Sequence, residues 1–212
     1  MALGEPGYPI TVINVLDHLL AWDAALFHYF NALPHPDWLT VAMAAISLMS
    51  RGAALWVALA LVVVAISRSD WAGVWRVALT LAITATLVST VIKPTISRSR
   101  PYLAHRTVET VSAPPTTSSF PSGHAATSAA GAFALSRLWP SAAVPLWSTA
   151  LIVGVSRVYL GFHYPLDVIA GLIVGLICAY FVTGGMVYRT VTSATAGVTR
   201  GWPRRHWARH SR

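Results

Sequence analysis

The chain has 212 residues, 55% of them apolar and only 10% charged, with a mean hydropathy of +0.59. A soluble domain carries roughly 25% charged residues, so too few polar side chains are present here to cover a water-facing surface, and an integral membrane protein is expected. The net charge of +8 comes from fourteen arginines and one lysine against seven acids, and the lone cysteine excludes an intrachain disulfide or a cysteine-cluster metal site.

Residues 1–10 lack the basic start of a secretory signal, so none is expected. In segment 10–32, Leu16, Leu19, Leu20, Leu26, Phe27 and Phe30 alternate with Asp17, His18, Asp23 and His28. That pattern predicts an amphipathic interfacial helix rather than a span. Segment 37–67 is apolar apart from Asp37 and the Arg51-Gly52 pair. It is too long for one span and is predicted as two short ones, about 37–50 and 52–67. Segments 73–92, 122–139, 141–160 and 165–188 each supply the run of roughly 17–25 mostly apolar residues that crosses a bilayer. Cys178 lies in the last of these and reads as a small core residue. Gly171-x3-Gly175 has the spacing with which small residues pack membrane helices together. Trp38, Trp71 and Trp139 fall near helix ends, as in an interfacial belt. The loop 102–120, rich in Ser, Thr and Pro, reads as a lid or a connector.

The fold expected is all-α: a polytopic membrane bundle of six spans with an N-terminal interfacial helix, in one domain over 1–188. Residues 189–212 form a basic tail with Arg189, Arg200, Arg204, Arg205, Arg209 and Arg212 and no acid. Such a tail fits cytoplasmic anionic headgroups better than nucleic acid. With the tail cytoplasmic, strict alternation puts Arg68, Arg76 and Arg137 on the same side, satisfying the positive-inside rule. It also places the N-terminus in the cytoplasm and the 93–121 loop outside it, in a plasma membrane.

Three clusters of charged residues sit at span ends, where they are functional candidates: Lys93-x6-Arg100-Pro101, Pro121-Ser122-Gly123-His124 and Ser156-Arg157-x5-His163-x3-Asp167. Alternation brings them to one membrane face. Lys93, Arg100 and Arg157 suit a dianionic phosphate, arginine as a two-pronged donor and lysine as a point charge. Ser122 and Gly123 open a helix whose N–H groups and dipole favour an anion. Of the two histidines, one can attack phosphorus while the other protonates the leaving oxygen. Asp167 can fix the tautomer of His163. Lys93 is the sole lysine of the chain. Arg98 and Arg106 flank this group and read as solvated loop cations, with contact to phosphate as the alternative. His18, His28, His35, His105, His206 and His210 have no partner pattern around them and read as structural.

The three clusters together resemble the signature motifs of the type 2 phosphatidic acid phosphatase superfamily, complete, in order and with no departure at a signature position. The resemblance covers 37–188. It implies a helical bundle in which His163 is the nucleophile, His124 the general acid and later base, and Asp167 the residue orienting His163. Lys93, Arg100, Ser122, Gly123 and Arg157 would bind phosphate, with no metal and no cofactor. The small size and amphipathic first helix are similar to bacterial undecaprenyl diphosphate phosphatases of that superfamily. Phosphatidylglycerophosphate or phosphatidic acid phosphatase activity, and phosphotransfer from a lipid diphosphate to another lipid, are the alternatives. Lipid specificity and oligomeric state are not written in these motifs.

Overall fold

Alanine-rich and long apolar runs favour helix, and in the computed structural model, which describes residues 10–67, 71–104 and 117–184, every regular element is helical. The long ones, in chain order, are α1 (Ile10–Asn31), α2 (Asp37–Met49), α3 (Ala54–Ser67), α4 (Trp71–Thr95), α5 (Gly123–Leu138), α6 (Ala143–Tyr159) and α7 (Pro165–Thr183), with short helical turns at Arg51–Ala53, Pro101–Ala104 and Pro140–Ala142. The expected tail over 189–212 lies outside the described residues.

The smallest side chains mark the centre. α5 packs against α4, α6 and α7, and Ala125, Ala126, Ala129, Ala130, Ala132 and Ala134 are all buried along it. Lipid tails are as apolar as leucine, so close backbone approach and dispersion hold such helices together. The Gly171-x3-Gly175 pair performs that packing. A Cβ at Gly171 would stand 2.4 Å from the Ser122 carbonyl oxygen, and one at Gly175 only 2.0 Å from that of Ala126. From the other side Trp56, fully buried, lies across Gly131 and donates its indole N–H to Ser128 Oγ at 3.2 Å. Buried Thr80 and Thr84 on α4 satisfy their hydroxyls on carbonyls four residues back, at 2.7 and 2.8 Å, which lets polar residues face an apolar core. Cys178 is buried as expected.

By length and composition, Trp71–Thr95, Pro140–Tyr159 and Pro165–Thr183 can each cross a membrane, and α2 with α3 makes a fourth crossing only as one path bent by 56°. The expected count of six is not reproduced. α5 has 16 residues, short for a bilayer. Arg51-Gly52 is no hairpin between two antiparallel spans. Gly52 and Ala53 both take left-handed φ, 62° and 63°, and the resulting bend redirects the chain without reversing it.

That correction moves the N-terminal region. Thr40 bonds the Tyr159 hydroxyl at 2.9 Å and His35 stacks on the Tyr159 ring at 4.3 Å. The start of α2 therefore lies at the same end as the close of α6, not across the bundle from it. Along α1, Leu16, Leu19, Leu20, Leu26 and Phe30 are exposed, whereas Asp23 is only 3% exposed and Phe27 is fully buried against Tyr164. α1 thus turns Asp23 and Phe27 to protein and these leucines and Phe30 outward, with Asp17 exposed on the same helix.

Candidate active site

The site forms where α4 ends and α5 and α7 begin. Pro94 has no N–H to return to the preceding turn, and the helix loosens into a π turn over Leu87–Ile92. Lys93 closes that turn and donates to the Ser118 carbonyl at 2.7 Å. Arg100 reaches the same carbonyl through Nη2 at 3.2 Å and binds the Thr117 carbonyl through Nε at 2.7 Å and that of Phe162 through Nη1 at 3.1 Å. Residues from both ends of the long loop are thereby tied together. Ser122 caps α5, its hydroxyl accepting from the Ala125 N–H at 3.4 Å. Its own N–H donates to the Asp167 carbonyl at 2.8 Å, so the donors this turn has left for an anion are the first N–H groups of the helix, at Gly123 and His124.

His163 sits in the turn between α6 and α7, which Gly161 makes possible with φ at 75°. It is 2% exposed, and its N–H donates to the Arg157 carbonyl at 3.2 Å. Arg100 Nη1 lies 3.3 Å from His163 Nε2. A guanidinium only donates, so Nε2 is the acceptor and Nδ1 carries the ring proton. Nδ1 stands 3.5 Å from Asp167 Oδ2, within ion-pair range but without hydrogen-bond geometry. Burial pushes the imidazole from 6.5 to about 4, against the pull of Asp167 and with Arg100 and Arg157 adding to the drop. It is neutral at pH 7.

Arg157 is 5% exposed, hydrogen-bonded to Ser47 Oγ through Nη1, stacked 4.3 Å over the Phe162 ring, and left with no partner at Nε. Among the described residues no carboxylate lies within 4.0 Å of Lys93, Arg100 or Arg157, and Asp167 acts on Lys93 and Arg100 only at longer range. His124, half-buried on the first turn of α5, lies within electrostatic range of Arg157, His163, Lys93 and Arg100. Contacts and electrostatic range thus join Lys93, Arg100, His124, Arg157, His163 and Asp167 in one cluster, with Ser122 tied to it through Asp167 and Gly123 next to it in the chain.

The structure also adds residues the sequence reading missed. Arg98 is not a solvated loop cation: its two prongs hold Asp167 Oδ1 at 2.7 Å and Asp23 Oδ2 at 2.6 Å. Ser119, from the loop, donates to Asp167 Oδ2, which also accepts from the Tyr164 N–H at 3.0 Å. Nothing local signals these partners, because the pairs are 48 to 75 residues apart. Arg106, His105 and most of the expected lid lie outside the described residues. The close of the loop is tied down: Ser118 Oγ donates to the Ile96 carbonyl at 2.5 Å and accepts from the Arg98 N–H at 3.1 Å. Among the described residues no group of three or more His, Cys, Asp or Glu side chains is placed to hold a metal ion.

Beside the polar cluster lies an apolar cavity of about 370 Å³ between α1, α2, α6 and α7, lined by Phe30, Leu39, Leu151, Val155, Val168 and Leu172 among others. Pro165, two residues from His163, and Tyr159 are part of its wall.

The model of the PAP2 superfamily matches residues 73–191. The lipid A 1-phosphatase of Rhizobium johnstonii is 37% identical over 90 residues, 40% of this chain and 34% of that protein. The undecaprenyl-diphosphatase BcrC of Bacillus subtilis is 37% identical over 83 residues, 38% of this chain and 42% of that one. The chain therefore spans less than half the length of these two curated relatives. The crystal structure of a transmembrane PAP2-type phosphatidylglycerolphosphate phosphatase from Bacillus subtilis superposes with a TM-score of 0.63 at 26% identity, covering 79% of this chain and 85% of that one. With a family match over more than half of its residues and the three clusters meeting at one end of the bundle, the chain belongs to the PAP2 superfamily.

Proposed function

We propose that this protein is an integral-membrane phosphatase that removes a terminal phosphate from a lipid phosphate or diphosphate through a phosphohistidine on His163, with a polyprenyl diphosphate such as undecaprenyl diphosphate as the leading substrate. The observation that carries the reading is the charge imbalance. Lys93, Arg100 and Arg157, three cations with no carboxylate within 4.0 Å among the described residues, lie around two imidazoles at a helix N-terminus. Buried unpaired charge is costly, and a phosphate dianion is the group that offsets it.

In the chemical step the Nε2 lone pair of His163 attacks phosphorus. The P–O bond to the lipid breaks, its electron pair stays on the leaving oxygen, and His124, which enters this step as the imidazolium beside the bound phosphate, gives that oxygen a proton and becomes neutral. His124 then takes a proton from water as the water oxygen attacks the phosphoenzyme. The P–N bond breaks, its pair returns to Nε2, and inorganic phosphate leaves. Phosphate oxygens take over the Arg100 donors as phosphorus reaches Nε2. Lys93, Arg157 and the first N–H groups of α5, at Gly123 and His124 beside the Ser122 cap, hold the charge on the transferring group. Asp167 holds the Nδ1 proton, and its 3.5 Å contact tightens as imidazolium charge develops. The apolar cavity walled by Tyr159 and Pro165 would take the first part of the lipid chain. The site faces the extracytoplasmic side of a plasma membrane, with the 189–212 tail on cytoplasmic anionic lipid and no metal required.

Phosphatidylglycerophosphate phosphatase is the second reading, favoured by the superposition on the phosphatidylglycerolphosphate phosphatase from Bacillus subtilis. Phosphate release from purified protein, measured with undecaprenyl diphosphate, phosphatidylglycerophosphate and phosphatidic acid, separates the two. Preference for the diphosphate is expected. Strong preference for phosphatidylglycerophosphate overturns the leading substrate, and phosphorylated lipid acceptor without free phosphate overturns hydrolysis.

A further inference from the structure

We propose that Asp23, on α1, is a positioning residue of this site: through Arg98 it holds the Asp167 carboxylate, and through that carboxylate the tautomer of His163. The proposal rests on the phosphatase reading above. Asp23 is 3% exposed on a helix whose neighbours Leu19, Leu20, Trp22 and Leu26 are 41–74% exposed. A buried carboxylate needs partners on both oxygens, and Asp23 has them. Oδ1 accepts from the Leu166 N–H at 2.8 Å, in the first turn of α7, and Oδ2 accepts from Arg98 Nη2 at 2.6 Å. The first contact places negative charge where the α7 dipole favours it.

Both terminal nitrogens of Arg98 hold a carboxylate. Nη1 holds Asp167 Oδ1 at 2.7 Å, and the guanidinium stands 4.2 Å over the Tyr164 ring. Its backbone carbonyl accepts from the N–H of Ser119 at 2.9 Å, the same residue whose hydroxyl binds Asp167. Arg98 is therefore built into the support of Asp167 and is not left over for phosphate, unlike Lys93, Arg100 and Arg157. Two carboxylates share one fork, one prong each. That division keeps Asp167 Oδ2 turned toward His163 Nδ1. Without the Asp23 charge, the fork is free to close on both oxygens of Asp167, since a guanidinium prefers two-pronged pairing with one carboxylate. Oδ2 is then drawn off Nδ1, and the imidazole loses the group that keeps Nε2 unprotonated and aimed outward.

The test is Asp23→Asn, which keeps an oxygen for the Leu166 N–H but removes the charge on Arg98. Loss of an outer-shell partner costs about 10–100-fold. We expect kcat for phosphate release from undecaprenyl diphosphate to fall by about that factor with KM within about threefold. Arg98→Lys should fall likewise, and Asp17→Asn, on the exposed side of the same helix, should match wild type. The spectroscopic readout is the ¹⁵N spectrum of histidine-labelled protein in detergent, with the His163 signals identified by their loss in His163→Gln. Wild type should show His163 with its proton on Nδ1, and Asp23→Asn a mixture of tautomers. Wild-type kcat together with an unchanged tautomer in Asp23→Asn overturns the proposal. A rise in KM equal to the loss in kcat/KM, with kcat unchanged, overturns it in favour of a substrate-binding role. If wild type itself releases no phosphate from any of the three lipids, the phosphatase reading fails, and the tautomer comparison still decides whether Asp23 positions His163.

Discussion

Replacing Gly175 by alanine tests how the site is held together. The added Cβ would stand 2.0 Å from the Ala126 carbonyl oxygen and 2.8 Å from its carbon, and real Cβ contacts essentially never fall below 3.0 Å. α5 and α7 must therefore separate by about 1 Å, because the obstructing atoms are backbone and cannot rotate aside. Overpacking of this kind costs about 1–3 kcal/mol of stability. The larger effect is on chemistry. Asp167 rides on α7, Ser122 and His124 open α5, and the two helices are joined beside them by the 2.8 Å bond from the Ser122 N–H to the Asp167 carbonyl. A misplacement of about 1 Å in such a constellation costs roughly 100-fold in rate, or about 3 kcal/mol of barrier. Denaturant unfolding in detergent and phosphate release should both show the loss. The matched control is Gly73→Ala on α4, whose Cβ would meet only the flexible Leu138 side chain at 3.0–3.1 Å and should cost less than about 1 kcal/mol. A Gly175→Ala protein as stable and as active as wild type would refute the claim that close approach of α5 and α7 sets the geometry of the site.

Ser119→Ala removes the hydroxyl that donates to Asp167 Oδ2; a hydrogen bond to a charged group is worth about 1.5–3 kcal/mol, so lower stability and a fall in kcat of about 10-fold are expected, and turnover equal to wild type would place Asp167 under other control. The buried His163 also makes stability depend on pH. Its value in the fold, about 4, lies below the ordinary 6.5, so the unfolded chain takes up the proton first. The neutral imidazole's contribution is whole above pH 6.5 and is lost as pH falls from 6.5 toward 4, on the order of 3 kcal/mol at about 1.4 kcal/mol per unit. Unfolding curves between pH 7 and 4 should show that slope in wild type and a flatter one in His163→Gln; equal slopes would contradict it.

The residues proposed to meet phosphate were legible because each cluster keeps its chemistry within a short stretch. Lys93 and Arg100, Ser122 to His124, and Arg157 to Asp167 are all local patterns, and helix alternation suffices to bring span ends together. The role of Asp23 was hidden for a physical reason. An amphipathic pattern names two faces but not which residue meets protein, and in α1 Asp23 faces in beside Phe27 while Leu16, Leu19, Leu20, Leu26 and Phe30 face outward. The bend at Gly52 and Ala53 was likewise hidden. An Arg-Gly pair inside an apolar run is compatible with a hairpin or a kink, and the left-handed φ at Ala53 is set by tertiary packing rather than by the preference of alanine. Ser119 and Ser47 were invisible for a simpler reason: a single serine becomes a partner only once a distant helix delivers an Asp or an Arg to it.

The nucleophile itself is open to direct trapping. Rapid acid-free quenching of the protein turning over a ³²P-labelled lipid diphosphate should capture label on His163, labile in acid and stable in base, and absent from His163→Ala. Label that survives acid and is lost in base, as on a serine of the 118–122 turn, or a His163→Ala protein that releases phosphate at the wild-type rate, would contradict the account.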